Sequence, residues 1–195
     1  HQDRDHSGGA EALLAALPVS LTQSSLGDDS PYRLSAPGRR PCSDGEAWEW
    51  DGVRFEMLHP RAAAYALPLA KTNDLSCVLM VTAGGHSMLL TGDIEAVSEL
   101  DLVARHGARL HADVLLAPHH GSRTSSHPVF IDAVAPAAVV LPVGYRNRFN
   151  HPNPVIQARY AAQGSRQRRL RPRRESSPWP RAFAACGSRR SHWPQ

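Results

Sequence analysis

Residues 75–93 read LSCVLMVTAGGHSMLLTGD, two apolar runs joined across Gly84-Gly85. Apolar runs meeting at a glycine pair are the pattern of a β-hairpin. Upstream, EAWEWDGVRFEMLHP (46–60) repeats it: Trp48 and Trp50 alternate, Asp51-Gly52 marks a two-residue turn, and Val53, Phe55 and Met57 alternate again. Downstream, EAVSELDLVARHG (95–107) has helical periodicity, with Val97, Leu100 and Val103 at three-residue steps as its expected apolar stripe. ADVLLAP (112–118) and AAVVLPVG (137–144) are short continuous apolar runs of the kind found in strands buried on both faces, and HPVFIDAVAP (127–136) between them suits a short helix. Hairpins followed by strand, helix and strand predict a mixed α/β sandwich. Toward the start, AEALLAALPV (10–19) predicts a short amphipathic helix ended by Pro18, and VIQARYAAQG (155–164) predicts another late in the chain.

A length of 195 residues with 42% hydrophobic and 21% charged residues accommodates one domain and a tail, and excludes collagen-like, coiled-coil and wholly disordered classes. No run approaches the roughly 18 apolar residues of a membrane span. The net charge of +4 conceals an uneven distribution. Residues 165–195 hold nine arginines against one acid, Glu175, a local +8, so residues 1–164 carry −4. The body is therefore not a basic nucleic-acid binder. In the tail the strong apolar residues Leu170, Trp179, Phe183 and Trp193 follow neither a 2.0 nor a 3.6 period, too little to offset ordering entropy. Its Arg, Pro, Ala and Ser enrichment is what a GC-rich gene gives when read out of frame. The expected division is a domain over 1–164 and an irregular, disordered or frameshifted segment over 165–195 that contributes no ligand. Cys42, Cys77 and Cys186 are odd in number and widely spaced, which argues against a disulfide framework and leaves the compartment open.

The chemistry-bearing residues fall in clusters. HQDRDH (1–6) places four metal-binding side-chain positions, His1, Asp3, Asp5 and His6, within six residues, followed by Gly8-Gly9. LLTGD ends one predicted strand at Asp93, LLAPHHGS ends another at His119, His120 and Ser122, and YRNRFNHP (145–152) follows a third. Singly, a Gly-Asp is a turn and a histidine after a strand is a surface residue; several at the ends of successive strands converge on one sheet edge.

In that order and at about these separations, HQDRDHSGG, NDLSCVL, LLTGDIE, APHHGSRTSS and YRNRFNHP resemble the metallo-β-lactamase-fold domain of ComEC-type competence proteins, the channel proteins of bacterial DNA uptake. The resemblance covers about residues 1–164. It implies a metallo-β-lactamase-like αββα sandwich, truncated at its N-terminus because the first motif begins at residue 1. It also implies two divalent metal ions, with His1 and Asp3 on one, Asp5 and His6 on the other, Asp93 bridging, and one of the two adjacent histidines as the late ligand. Asp5, Asp93 and His120 are then the catalytic candidates. His120 is preferred as ligand because neighbours leaving a strand point to opposite faces and because Gly121 after it lets the loop pass close to a metal, with His119 behind it as a hydrogen-bond partner. The superfamily's remaining histidine has no match around NDLSCVL; His59 and His86 are the histidines of that interval.

The residue chemistry fits this independently. Two divalent ions about 3.5–4 Å apart activate a water and stabilise the attacking and leaving oxygens of a phosphodiester displacement. Carboxylate in place of imidazole favours harder ions, making Mn²⁺ a candidate beside Zn²⁺. Arg123, Arg146 and Arg148 are candidates for holding phosphate, with Ser122 and His151 in the same role. Ser122, Thr124, Ser125 and Ser126 stand as phosphate donors or, the preferred reading, as caps of the helix near His127-Pro128. Asn73 and Ser76 are candidate partners of the ligands. The expected function is a metal-dependent hydrolase, a DNA nuclease that degrades the non-transported strand during uptake. Its partners are DNA and the membrane channel part of a parent protein in the bacterial inner membrane, with this domain on the extracytoplasmic side. The alternatives are another phosphodiesterase of the fold, or an inactive fragment that binds DNA through its basic tail.

Overall fold

The computed structural model describes residues 3–27, 38–67, 71–144 and 147–169. The chain opens with two short helices, α1 (Arg4–Ser7) and α2 (Ala10–Ala16), the latter ending before Pro18 as its sequence predicts. Strands β1 (Leu21–Ser24) and β2 (Gly38–Pro41) form a parallel ribbon of their own. The main sheet has seven strands in sequential order: β3 (Ala47–Trp50), β4 (Val53–His59), β5 (Val78–Ala83), β6 (His86–Leu90), β7 (Val114–Leu116), β8 (Ala138–Leu141) and β9 (Arg166–Arg169). Pairings from β3 to β6 are antiparallel and those from β6 to β9 parallel.

Both predicted hairpins form. Trp48 faces Phe55 across the first, ring on ring at 5.2 Å, and Val81 faces Met88 across the second. Helices α3 (Ala96–His106), α4 (Pro128–Val134) and α5 (Pro154–Ala162) occupy the predicted segments. Their apolar side chains Leu102, Phe130, Ile131, Val134, Ile156 and Tyr160 share one core with the sheet residues Val78, Met80, Leu89, Leu115, Val139 and Leu141. The alternate residues Leu79, Val81, Met88, Leu90 and Leu116 lie on the other face and are half-buried.

Four expectations are corrected. First, the apolar stripe of α3 is not its buried face: Val97 is 77% and Leu100 40% exposed, while Ser98, Glu99 and Leu102 are buried. The Glu99 carboxylate accepts the backbone N–H groups of Ser126 and His127, both at 2.6 Å, and so turns a charged side chain inward. Second, the cap of α4 is not a serine; His127 takes that position and its Nδ1 accepts from the Val129 N–H at 3.3 Å. Ser125 and Ser126 are buried, donating to the Pro118 carbonyl and meeting the Tyr160 hydroxyl. Third, ordered structure continues past residue 164, since Arg166–Arg169 adds a parallel edge strand to β8. The stretch 170–195, with most of the expected tail, lies outside the described residues. Fourth, Cys42 and Cys77 are disulfide-bonded, their Cα atoms 5.7 Å apart, despite the odd cysteine count; Cys186 lies outside the described residues.

Candidate metal centre

Because β6, β7 and β8 run parallel, their C-terminal ends share one edge of the sheet, and each delivers a functional segment there: Gly92-Asp93, His119-His120 and Asn147–His151. Thr91 Oγ1 donates to the Leu116 carbonyl at 2.7 Å and ties the first two ends together. Asp93 is buried, and its backbone N–H donates to Ser76 Oγ at 3.1 Å. That contact needs glycine at 92, where φ is +55° and an added Cβ would stand 2.9 Å from that of Ser76.

Helix α1 brings Asp5 and His6 over this edge. One donor atom each from Asp5, His6 and His120 lie within 4.8 Å of one another. His6 Nε2 is 3.1 Å from Asp93 Oδ1 and 3.3 Å from His120 Nε2, and His120 Nε2 is 3.1 Å from Asp5 Oδ2 and 3.5 Å from Asp93 Oδ1. His120 Nδ1 sits 2.8 Å from the Pro142 carbonyl. A carbonyl only accepts, so Nδ1 donates there and Nε2 is the ring nitrogen that would ligate a cation. Two imidazole nitrogens and two carboxylates converging this closely form a donor set suited to a divalent cation.

His119 does not point to the opposite face from His120, as strand alternation predicts. Both residues have left-handed backbones, φ +46° and +54°, and their rings lie 6.4 Å apart at the same edge. His119 Nδ1 is 3.1 Å from Thr124 Oγ1 and 3.4 Å from Glu95 Oε1, while its Nε2 is 3.9 Å from Asp93 Oδ2. Gly121 allows a close approach to Pro152, whose Cβ a side chain at 121 would meet at 2.9 Å.

The other expected residues divide. Asp3 is exposed, and its carbonyl accepts the N–H groups of His6 and Ser7. His1 and Arg146 lie outside the described residues. His59 and His86 do not join the cluster: His59 is buried with Nε2 on the Asp74 carbonyl at 2.7 Å, and His86 starts β6 at the far edge. Ser122 is buried within its own loop, 3.2 Å from Thr124 Oγ1, and Arg123 is exposed. Ser76 supports Asp93 as described, and Asn73 Nδ2 donates to Glu95 Oε1 at 3.4 Å. Glu95, missed in the sequence, gathers Asn73, Thr124 and His119; its one signal was an acid two residues beyond Asp93.

A cleft of about 580 Å³ opens above the cluster, with Arg148, Phe149 and His151 on its wall. The His151 ring stacks 6.5 Å from that of His120. Burial, reinforced by His119 and His120, lowers the His151 pKa below the usual imidazole value.

No protein-family model matches the chain. It is 39% identical over 164 residues to competence protein ComA of Neisseria gonorrhoeae, a match covering 84% of this chain and 22% of that protein. It is 30% identical over 165 residues to ComE operon protein 3 of Bacillus subtilis, covering 80% and 21% respectively. The chain thus spans about a fifth of the length of these relatives. Among solved structures, the metallo-β-lactamase fold protein YhfI from Bacillus subtilis matches 87% of this chain and 71% of its own at 11% identity, with a TM-score of 0.48. Over most of its length the chain is thus similar to one segment of these competence proteins.

Proposed function

We propose that this homologue of the ComEC-type competence proteins is a metal-dependent hydrolase module, a DNA nuclease that degrades the non-transported strand during uptake. The observation that carries the reading is the convergence of Asp5, His6, Asp93 and His120 beneath an open cleft. These four residues would hold one divalent ion, and His1 and Asp3, with Asp93, would hold the expected second one. A bound divalent ion supplies positive charge that offsets the charge building on phosphate oxygens during displacement.

The chain's own groups do the positioning. Ser76 fixes the Asp93 backbone, the Pro142 carbonyl fixes the His120 ring, and the Glu95 and Thr124 oxygens hold His119 beside Asp93. Arg148, exposed on the wall of the cleft, provides a cation for the phosphate backbone. The Cys42–Cys77 bond supports an extracytoplasmic position, since such bonds persist in oxidising compartments. Among the described residues no helix is long and apolar enough to cross a membrane, so attachment to the membrane channel is assigned to the parent protein.

The test is cleavage of labelled DNA by the purified chain with Mn²⁺, Zn²⁺ or Mg²⁺. Cleavage requiring a divalent ion is expected, with Mn²⁺ at least as effective as Mg²⁺, and Asp5→Ala or Asp93→Ala lowering the rate by on the order of 10³-fold or more. Near wild-type cleavage by both variants, their fold verified by circular dichroism, overturns the assignment. Turnover of small phosphodiesters without DNA cleavage would favour the phosphodiesterase alternative.

A further inference from the structure

The loop between β8 and α5 carries an aromatic side chain for which the core has no use. Asn147 closes this loop: its Nδ2 donates to the His151 carbonyl at 2.7 Å and its Oδ1 accepts the His151 N–H at 2.8 Å. The backbone between those contacts presents Arg148 and Phe149 at its tip. Phe149 is 63% exposed. Burying such a ring in the core stabilises a fold, so a phenylalanine held outward on a pinned loop forgoes that gain.

Its neighbours point to a ligand. The Phe149 ring lies 5.8 Å from His151 at an interplanar angle of 19°, and His151 lies 6.5 Å from His120 at 20°. Three nearly parallel rings therefore step from the metal-binding cluster out along the wall of the cleft. At the outer end the Arg148 guanidinium stands over the Phe149 ring, 4.8 Å from its centroid. An aromatic ring paired with a planar cation is the chemistry that binds a nucleobase, because every base has a π-face and arginine serves both stacking and phosphate.

We infer that Arg148 and Phe149 form a stacking platform for one unpaired nucleobase of the strand whose phosphate lies at the Asp5–His6–Asp93–His120 cluster. The inference rests on the nuclease reading and adds to it the form of the substrate. A base stacked on the Arg148–Phe149 pair has left its duplex stack, so the site takes single-stranded or frayed DNA, and stacking makes it tolerant of sequence.

The test separates binding from cleavage. Binding of fluorescently labelled oligo-dT and of an abasic deoxyribose-phosphate polymer of equal length is measured by anisotropy for wild type, Phe149→Ala and Phe149→Trp. Wild type should bind oligo-dT roughly 10-fold more tightly than the abasic polymer. Phe149→Ala should lose that preference while binding the abasic polymer as wild type does, and Phe149→Trp should restore it. In cleavage assays the same loss should fall on KM for oligo-dT, leaving kcat nearly unchanged. Equal oligo-dT binding by wild type and Phe149→Ala, or an equal loss on both polymers, overturns the platform. A wild type that cleaves neither polymer with any divalent ion, yet keeps the Phe149-dependent preference, overturns the nuclease reading and leaves the platform standing.

Discussion

His119 and His120 adopt consecutive left-handed conformations, each costing on the order of 1–3 kcal/mol for a residue with a side chain. The surroundings hold them there: the His119 N–H donates to the Gly92 carbonyl at 3.1 Å, the Ser122 N–H donates to the His119 carbonyl at 2.8 Å, and Gly121 lets Pro152 close in behind. The result is a pair whose members have different partners. His120 offers Nε2 to Asp5, His6 and Asp93, and His119 is held one step back by Thr124 and Glu95. Metal content after dialysis against Mn²⁺ should therefore fall most in His120→Ala. In His119→Ala affinity should fall by about 10–100-fold, the range for groups that orient ligands. Plasma mass spectrometry of the two variants reads this directly, and a larger loss in His119→Ala reverses the two roles.

Helix α3 links the body of the fold to the loop that follows those histidines. Glu99 is fully buried, and burial is the main cause that pushes its carboxyl pKa up to about 7, against the two backbone N–H donors that favour the carboxylate. A carboxyl whose pKa is higher folded than unfolded stabilises the fold below its unfolded value of 4.5, and that contribution is lost as pH rises toward 7. Urea midpoints should therefore decline for wild type between pH 4.5 and 7 by an amount absent from Glu99→Gln; parallel profiles would show that Glu99 does not titrate in this window. This carboxylate also explains what the sequence could not reveal about α3. The helix itself was legible from its periodicity and its terminal Gly107, as the hairpins were from alternation and two-residue turns. The buried face was not, because it was set by the backbone of residues 126 and 127, which only the fold brings to Glu99. In the same way Asp93 and the paired histidines could be read as strand-end residues, whereas the Glu95 contacts to Asn73 and Thr124, 22 and 29 residues away, leave no local pattern.

At the scale of the molecule, the Cys42–Cys77 bond ties the end of the β1–β2 ribbon to the start of β5, next to Ser76 and hence to Asp93. The bridged residues are 35 apart, a closure that constrains the unfolded chain. The Cys42→Ser, Cys77→Ser double variant should lose about 2–4 kcal/mol in urea unfolding, and reductant should lower wild type to the same level. Unchanged stability in both would show that the bond adds nothing to the fold. The sheet also has a second edge. The Asp51-Gly52 and Gly84-Gly85 reversals lie together there, since Arg54 pairs with Thr82 and Ala83 with His86, opposite the end from which Asp93 and His119-His120 emerge. The molecule is thus furnished with two splice points: a fluorophore-bearing or affinity insert grafted at either reversal hangs from the far side of the sheet and leaves the edge that carries Asp93, His119 and His120 unobstructed.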